Sequence, residues 1–316
     1  MPAPTSNTIA YLAGYPPSLV EPVRQLADAG RLGDVLRQRH PRVHDVRTDK
    51  ALYDYVQAIR NDWFPEAFKA GGEPLPEAPC FWHAVSGLVM LADWIGSNQT
   101  DFPLYVEPDA DPMARIVRAR EIAPRLLREY GFDPTAKRQR LPPVSFASVS
   151  KHPPHPIQQA VGEAEGQIVI LEAETGSGKT EAALYRFARL FERGDVDGLY
   201  FALPTRVAAK SLYDRVCEAV AIMFPEGARP AVVLAVPGYA KVDGIVGKPL
   251  PGFEVLWDDD PDGGVKRTRW AAEHPKRFLA GTIAVGTIDQ ALLGAIQVRH
   301  AHMRSTSLLR HLLVVD

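Results

Sequence analysis

At 316 residues the chain is long enough for about two domains of ~150 residues each. Its 46% hydrophobic and 23% charged residues are those of a globular protein and exclude a disordered or fibrous one. A net charge of −2 excludes nucleic-acid binding by bulk basicity, so any such binding must come from a local basic face. Two cysteines, Cys80 and Cys217, share no metal-like spacing; they exclude a disulfide framework and point to the reducing cytoplasm. The chain opens on no leader-like pattern and no apolar run approaches ~18 residues, so no membrane partner is expected.

In chain order, residues 1–36 carry Val20, Val23, Leu26, Leu32, Val35 and Leu36 at helical spacing, interrupted by Pro16-Pro17 before them. His44-Asp45 is a pair of metal-ligand types, but with Pro41, Arg42 and Arg47 around it the solvated-loop reading is the better one. Residues 50–69 look helical again, and 70–79 form a Gly- and Pro-rich loop. Phe81 to Asn98 is apolar nearly all round, which predicts a central buried helix. Asp93 sits inside it. A buried carboxylate without a partner is expensive, so Asp93 binds a metal or accepts hydrogen bonds from its neighbours, and composition weighs the two evenly. His83 reads as a packed histidine. After an acidic turn at Glu107–Pro112, residues 113–130 predict a charged amphipathic helix with Ile116, Ile122 and Leu126 inward. Residues 131–156 are rich in Pro, Ser and Lys and read as a linker. The expected domains are 1–130 (helical), a linker at 131–150, and 151–316.

Beyond that boundary strand and helix signals alternate, with strands near 168–172, 198–203, 231–236, 282–286 and 311–316. Alternation of this kind implies a mostly parallel sheet, whose ligands gather at the carboxyl ends of its strands. Residues 237–275 form a long insertion with Asp258-Asp-Asp260 and Lys266-Arg-Thr-Arg269, and a loop of that length is functional or disordered as a rule.

The stretch that organises this half is Thr175-Gly176-Ser177-Gly178-Lys179-Thr180, between the apolar run Ile168–Leu171 and an amphipathic segment reaching Arg193. Two glycines let the backbone turn tightly and leave N–H groups free for phosphate oxygens, and the start of the helix adds its partial positive charge. Lys179 would reach the terminal phosphates of ATP and the Thr180 hydroxyl would ligate Mg²⁺. The strict pattern asks for a glycine where this chain has Ala173. Gln158 lies upstream; its amide can donate to and accept from an adenine edge, against the plainer reading of a surface glutamine. Thr205 and Arg206 end one strand and open a helix, as do Gly286, Thr287, Asp289 and Gln290 on another. Each threonine could simply cap its helix. Taken together, the two sites predict a track for the phosphates of a single strand of DNA. Asp316, at the tip of the last strand, would hold the Mg²⁺ shell through water.

Together these residues resemble superfamily 2 helicases, and more closely the CRISPR-associated helicase–nucleases of type I systems. The resemblance is carried by Glu172–Leu184, Leu203–Arg206, Trp270–Arg277, Val285–Leu293 and Val298–Ala301, and it covers residues 80–316 well and 1–79 poorly. Gly87–Asn98 is similar to the final helix of that family's histidine–aspartate nuclease domain, with Asp93 at the last metal-ligand position. The resemblance implies an all-α partial histidine–aspartate nuclease domain followed by an α/β RecA-like P-loop domain with a parallel sheet. It implies ATP, Mg²⁺ and, in a complete nuclease domain, a divalent transition metal. Its partners would be single-stranded DNA and a CRISPR RNA-guided surveillance complex, in antiviral defence. The family's earlier nuclease histidines and its second helicase domain find no counterpart, so the chain is expected to be a fragment. On that expectation Lys179 and Asp316 serve catalysis in the parent protein, while the piece alone binds nucleotide weakly and is inactive. Another superfamily 2 helicase, or a non-catalytic ATP-gated nucleic-acid-binding module, are the alternatives.

Overall fold

The computed structural model describes residues 57, 61 and 65, then 75–98, 100–102 and 112–316 except 251–254, 261–266 and 297. The helical segments expected before residue 70, His44-Asp45, most of the acidic turn at 107–112 and Lys266 lie outside these residues. The chain divides into two compact units, residues 1–78 with 109–117 and residues 79–108 with 118–316. The description that follows concerns the second.

Its centre is a seven-stranded sheet in the order β5-β4-β3-β2-β6-β1-β7. The strands are β1 (Gly198–Leu203), β2 (Val232–Ala235), β3 (Ala240–Val242), β4 (Ile245–Pro249), β5 (Val255–Trp257), β6 (Ile283–Thr287) and β7 (His311–Val315). The helices are α1 (Pro79–Gly96), α2 (Pro112–Tyr130), α3 (Thr135–Gln139), α4 (Pro156–Glu163), α5 (Lys179–Arg193), α6 (Arg206–Met223), α7 (Ile288–Leu292) and α8 (Ala301–Leu308). β2, β6, β1 and β7 run parallel, whereas β3, β4 and β5 pair antiparallel, so the sheet is mixed rather than mostly parallel. The antiparallel part is the insertion at 237–275, which extends the sheet instead of looping away. It is pinned where Arg269 meets both carboxylate oxygens of Asp259, at 2.6 and 2.7 Å, with its guanidinium over the Trp257 ring.

The parallel strands β1, β2 and β6 are apolar runs covered on both faces, as central parallel strands require, whereas β7 at the edge leaves Leu313 and Val315 exposed. In β1, Leu199, Phe201 and Leu203 point to one face, where α5 and α6 supply Phe187, Phe191, Tyr213 and Val216. Tyr200 and Ala202 point to the other, into a second core with Leu91, Leu126, Trp270, Leu279 and Met303. This alternation is the two-residue period of a strand. The stretch expected as a linker packs on the first core: Val144, Phe146 and Val149 are buried, and Arg138 donates to Phe191 O, Val196 O and Asp197.

Two further expectations fail. The segment at 168–172 forms no strand, and Ile168 and Ile170 are 85% and 89% exposed. It does not pair with β7, the edge strand of the sheet; a groove of about 1120 Å³, lined by 167–169 and Leu171 on one side and by β7 on the other, lies between them. α1 forms as expected but is not buried all round. Of its residues Gly87 and Leu91 are buried, while Leu88 and Val89 are exposed. The inward face rests on α8, where Thr306 Oγ1 donates to Ala84 O at 3.1 Å. At the end of α1, Trp94 lies edge-on to His274 and His300 and beneath Arg277.

Candidate nucleotide-binding site

The turn at Thr175–Gly178 hands the chain to α5 at the edge of the parallel sheet. Gly176 and Gly178 both adopt left-handed φ values, 81° and 79°, which side-chain-bearing residues take only with strain. Gly178 stands at the N-cap with no side chain to satisfy the first N–H groups of α5, so they face the cleft. Lys179 Nζ donates to Ala173 O and Glu174 O, each at 3.0 Å, closing the near side of the turn. The Ser177 hydroxyl is buried with no hydrogen-bond partner among the described residues.

A cleft of about 580 Å³ opens over this turn, lined by residues 175–181, Gln158, Arg215 and Asp316. Asp316 follows β7, and its N–H donates to Ala202 O at 3.0 Å, which fixes the carboxylate at the carboxyl end of the parallel strands. Thr180 and Asp316 offer a hydroxyl and a carboxylate, hard oxygen ligands of the kind Mg²⁺ takes. They fit that ion, with Ser177 Oγ as a further unsatisfied oxygen in the same turn. Gln158 is not a surface residue. It is 5% exposed, and both ends of its amide are engaged by the protein. Sequence reasoning missed Arg215, which reaches across from α6 to Glu181 on α5 at 2.7 Å. Only the tertiary packing of α6 on α5 brings it to the cleft, and no local pattern signals it.

The residues expected to contact DNA separate into two environments. Thr205 and Arg206 are exposed, and Thr205 Oγ1 accepts from Ala208 N at 3.1 Å, so it caps α6. Gly286, Thr287 and Gln290 are buried and Asp289 is exposed. Thr287 takes the N-cap position of α7 without a side-chain cap, and its hydroxyl has no partner among the described residues. Below it Tyr200 OH donates to Thr287 O and Arg304 donates to Gln290 Oε1. Burial pushes the Tyr200 phenol above its usual range and holds the Arg304 guanidinium below its own. Asp93 is exposed on α1, and no group of three His, Cys, Asp or Glu side chains able to hold a metal occurs among the described residues. His83 stacks on His302, centroids 4.1 Å apart, and is a packed histidine.

An α/β sheet with a glycine-rich turn, a lysine and a carboxylate gathered at the carboxyl ends of its parallel strands defines an α/β protein with a phosphate-binding type of cleft. Comparison with known proteins agrees and goes further. Residues 24–102 match the family described as Cas3, HD domain. The chain is 31% identical over 291 residues to the CRISPR-associated endonuclease/helicase Cas3 of Thermus thermophilus, aligned over 86% of this chain and 30% of that one. The crystal structure of T. fusca Cas3-ATP is similar with a TM-score of 0.55 at 26% identity, covering 75% of this chain and 26% of that one. A stretch of 61 residues, 19% of the chain, is 46% identical to the UTP pyrophosphatase of Escherichia coli, over 36% of that protein. The resemblance to the CRISPR-associated helicase–nucleases is therefore borne out over most of this chain, which spans under a third of the length of the Cas3 relatives it matches.

Proposed function

We propose that this chain carries the nucleotide-binding portion of an ATP-dependent helicase and metal-dependent nuclease that degrades invading DNA in CRISPR defence. The observation that supports this most directly is the convergence of Thr175–Thr180 and Asp316 on one cleft. In this reading the α/β unit is a RecA-like domain, and α1 is the last helix of a histidine–aspartate nuclease domain. ATP is the nucleotide, as in the T. fusca Cas3-ATP structure.

The N–H groups at the start of α5 and the Lys179 ammonium hold the phosphates, and charge-assisted hydrogen bonds of this kind are roughly twice as strong as neutral ones. Thr180 and Asp316 would hold Mg²⁺, which when bound would supply positive charge beside the phosphoryl oxygens. Asp93 would ligate a divalent transition metal in a complete nuclease domain. Single-stranded DNA runs past Thr205 and Arg206 by phosphate contacts, and a CRISPR RNA-guided surveillance complex in the cytoplasm delivers it.

The test is titration with Mg·ATP. Lys179 Nζ holds the Ala173 and Glu174 carbonyls of the turn rather than a core residue, so Lys179→Ala should lower the unfolding midpoint only slightly. Loss of a charged hydrogen bond, about 1.5–3 kcal/mol, corresponds to at least tenfold weaker binding. Equal affinity in the variant would count against the cleft as a nucleotide site.

A further inference from the structure

Glu181 places a negative charge beside the phosphate turn. It follows Lys179 and Thr180 in the first turn of α5 and is the acidic residue there. Its Oε2 lies 3.4 Å from the point where a Cβ on Gly178 would stand, so the carboxylate sits against the N-cap of the helix. The partial positive charge of a helix start attracts anions, and a carboxylate at that place competes with phosphate for it. A triphosphate entering the cleft would also meet the carboxylate as a like charge.

Arg215, on α6, answers that charge. Its Nη2 donates to Glu181 Oε1 at 2.7 Å, and among the described residues neither side chain has another hydrogen-bond or ion-pair partner. The arginine side chain is 55% exposed and the glutamate 27%, so the pair forms part of the cleft wall and not of a core. An ion pair this exposed contributes little to stability. Its effect is on the charge of the cleft. Histidines apart, Lys179 and Arg215 balance Glu181 and Asp316 along the lining. Without Arg215, two carboxylates would face one ammonium, and Lys179 is already drawn to Ala173 O and Glu174 O.

We propose that Arg215 is a positioning residue of the nucleotide site that acts through Glu181: it neutralises a carboxylate that would otherwise repel the phosphates. This rests on the nucleotide reading of the cleft. The consequence is an affinity that follows the net charge of the pair and not the presence of the arginine.

The experiment measures binding of Mg·ATP at low and at high salt to the wild type, Arg215→Gln, Arg215→Lys, Glu181→Gln and the double variant Glu181→Gln/Arg215→Gln. At low salt Arg215→Gln should bind about tenfold more weakly than the wild type, and the gap should narrow at high salt as the charges are screened. Arg215→Lys keeps the charge and should bind within about threefold of the wild type. The double variant removes both charges and should return to the same range, whereas Glu181→Gln alone should bind at least as tightly as the wild type. The unfolding midpoints of all five proteins should lie close together. Equal losses in Arg215→Gln and the double variant would overturn the proposal in favour of direct contact between Arg215 and phosphate. Unchanged affinity in Arg215→Gln would overturn it outright. Failure of the wild type to bind Mg·ATP would instead overturn the nucleotide reading and this proposal with it.

Discussion

Gly87 on α1 lies directly against the His302 carbonyl and the Thr306 hydroxyl of α8, with no room for a Cβ between them. The contact brings the two helix backbones together and sets the Thr306 Oγ1 to Ala84 O bond beside it. In an exposed helix, alanine is favoured over glycine by about 1 kcal/mol. Here the added methyl meets backbone, which cannot rotate aside, and overpacking costs about 1–3 kcal/mol. Gly87→Ala should therefore be destabilising by a net of up to ~2 kcal/mol, read as a lower urea midpoint at unchanged slope. A variant more stable than the wild type would show that α1 and α8 are not packed in this way.

Arg267 makes a comparable link at the other end of that core. Its guanidinium is paired with both oxygens of Asp101 and donates to Glu129 Oε2 at 3.0 Å. The Asp101 side chain is only 4% exposed, so removing the arginine strands a buried carboxylate that keeps, among the described residues, Asn98 as its side-chain partner. Breaking such a pair costs about 3–5 kcal/mol. Arg267→Ala should lower the stability of the unit by about 3 kcal/mol in denaturant unfolding. Arg267→Lys should recover only part of it, because an ammonium cannot bridge both carboxylates in the same fork.

Much of this was legible in the sequence, and what was not has a physical pattern. The phosphate turn was readable because its signal is local: two glycines, a lysine and an amphipathic helix in register. The parallel strands β1, β2, β6 and β7 were readable because each is a short apolar run between helical periods. The run at 168–172 carries the same signal and forms no strand: it stands across a groove from the edge strand β7, and an apolar run does not report whether the chain brings it to a pairing partner. Helix α1 was placed correctly, but its apolar residues overstated its burial, as exposed Leu88 and Val89 show. The places of Gln158 and Arg215 depended on which helix packs beside the turn.

His274 gives the α/β unit a pH dependence. It is buried with Arg277, Lys276, His300 and Arg304 nearby, and burial followed by those charges lowers its pKa to about 4. Its Nδ1 accepts the Lys276 N–H at 3.1 Å, which requires that nitrogen to be unprotonated. A depressed folded pKa means that the neutral form contributes stability above the unfolded pKa of about 6.5, and that this is lost as pH falls toward 4. At 1.36 kcal/mol per unit, the fall from pH 7 to pH 5 should remove as much as ~2 kcal/mol. His274→Asn keeps an acceptor at the N-cap without a titrating group, so its unfolding free energy should change less over the same interval. Equal pH dependence in the two proteins would assign the effect to other groups.

Thr205 and Arg206 separate a structural role from a binding role at adjacent positions. Thr205 Oγ1 caps α6 by accepting from Ala208 N, so Thr205→Ala should cost about 1 kcal/mol of stability whether or not DNA binds. Arg206 is exposed at the same helix start, and no ion pair ties it to a neighbour among the described residues. Its guanidinium is therefore free to meet a phosphate. Arg206→Ala should leave the unfolding midpoint unchanged and weaken binding to single-stranded DNA of any sequence. Each phosphate neutralised on a single strand contributes about 0.7 to the slope of log affinity against log salt, so that slope should flatten by roughly this amount. Gly286, Thr287 and Gln290 lie beneath the surface, so a direct contact there would need the chain around α7 to open. Thr287→Ala should accordingly leave DNA affinity near that of the wild type, while relieving a buried hydroxyl that has no partner among the described residues. A loss of DNA affinity in Thr287→Ala comparable to that in Arg206→Ala would place the track across both strand ends instead of at Arg206 alone.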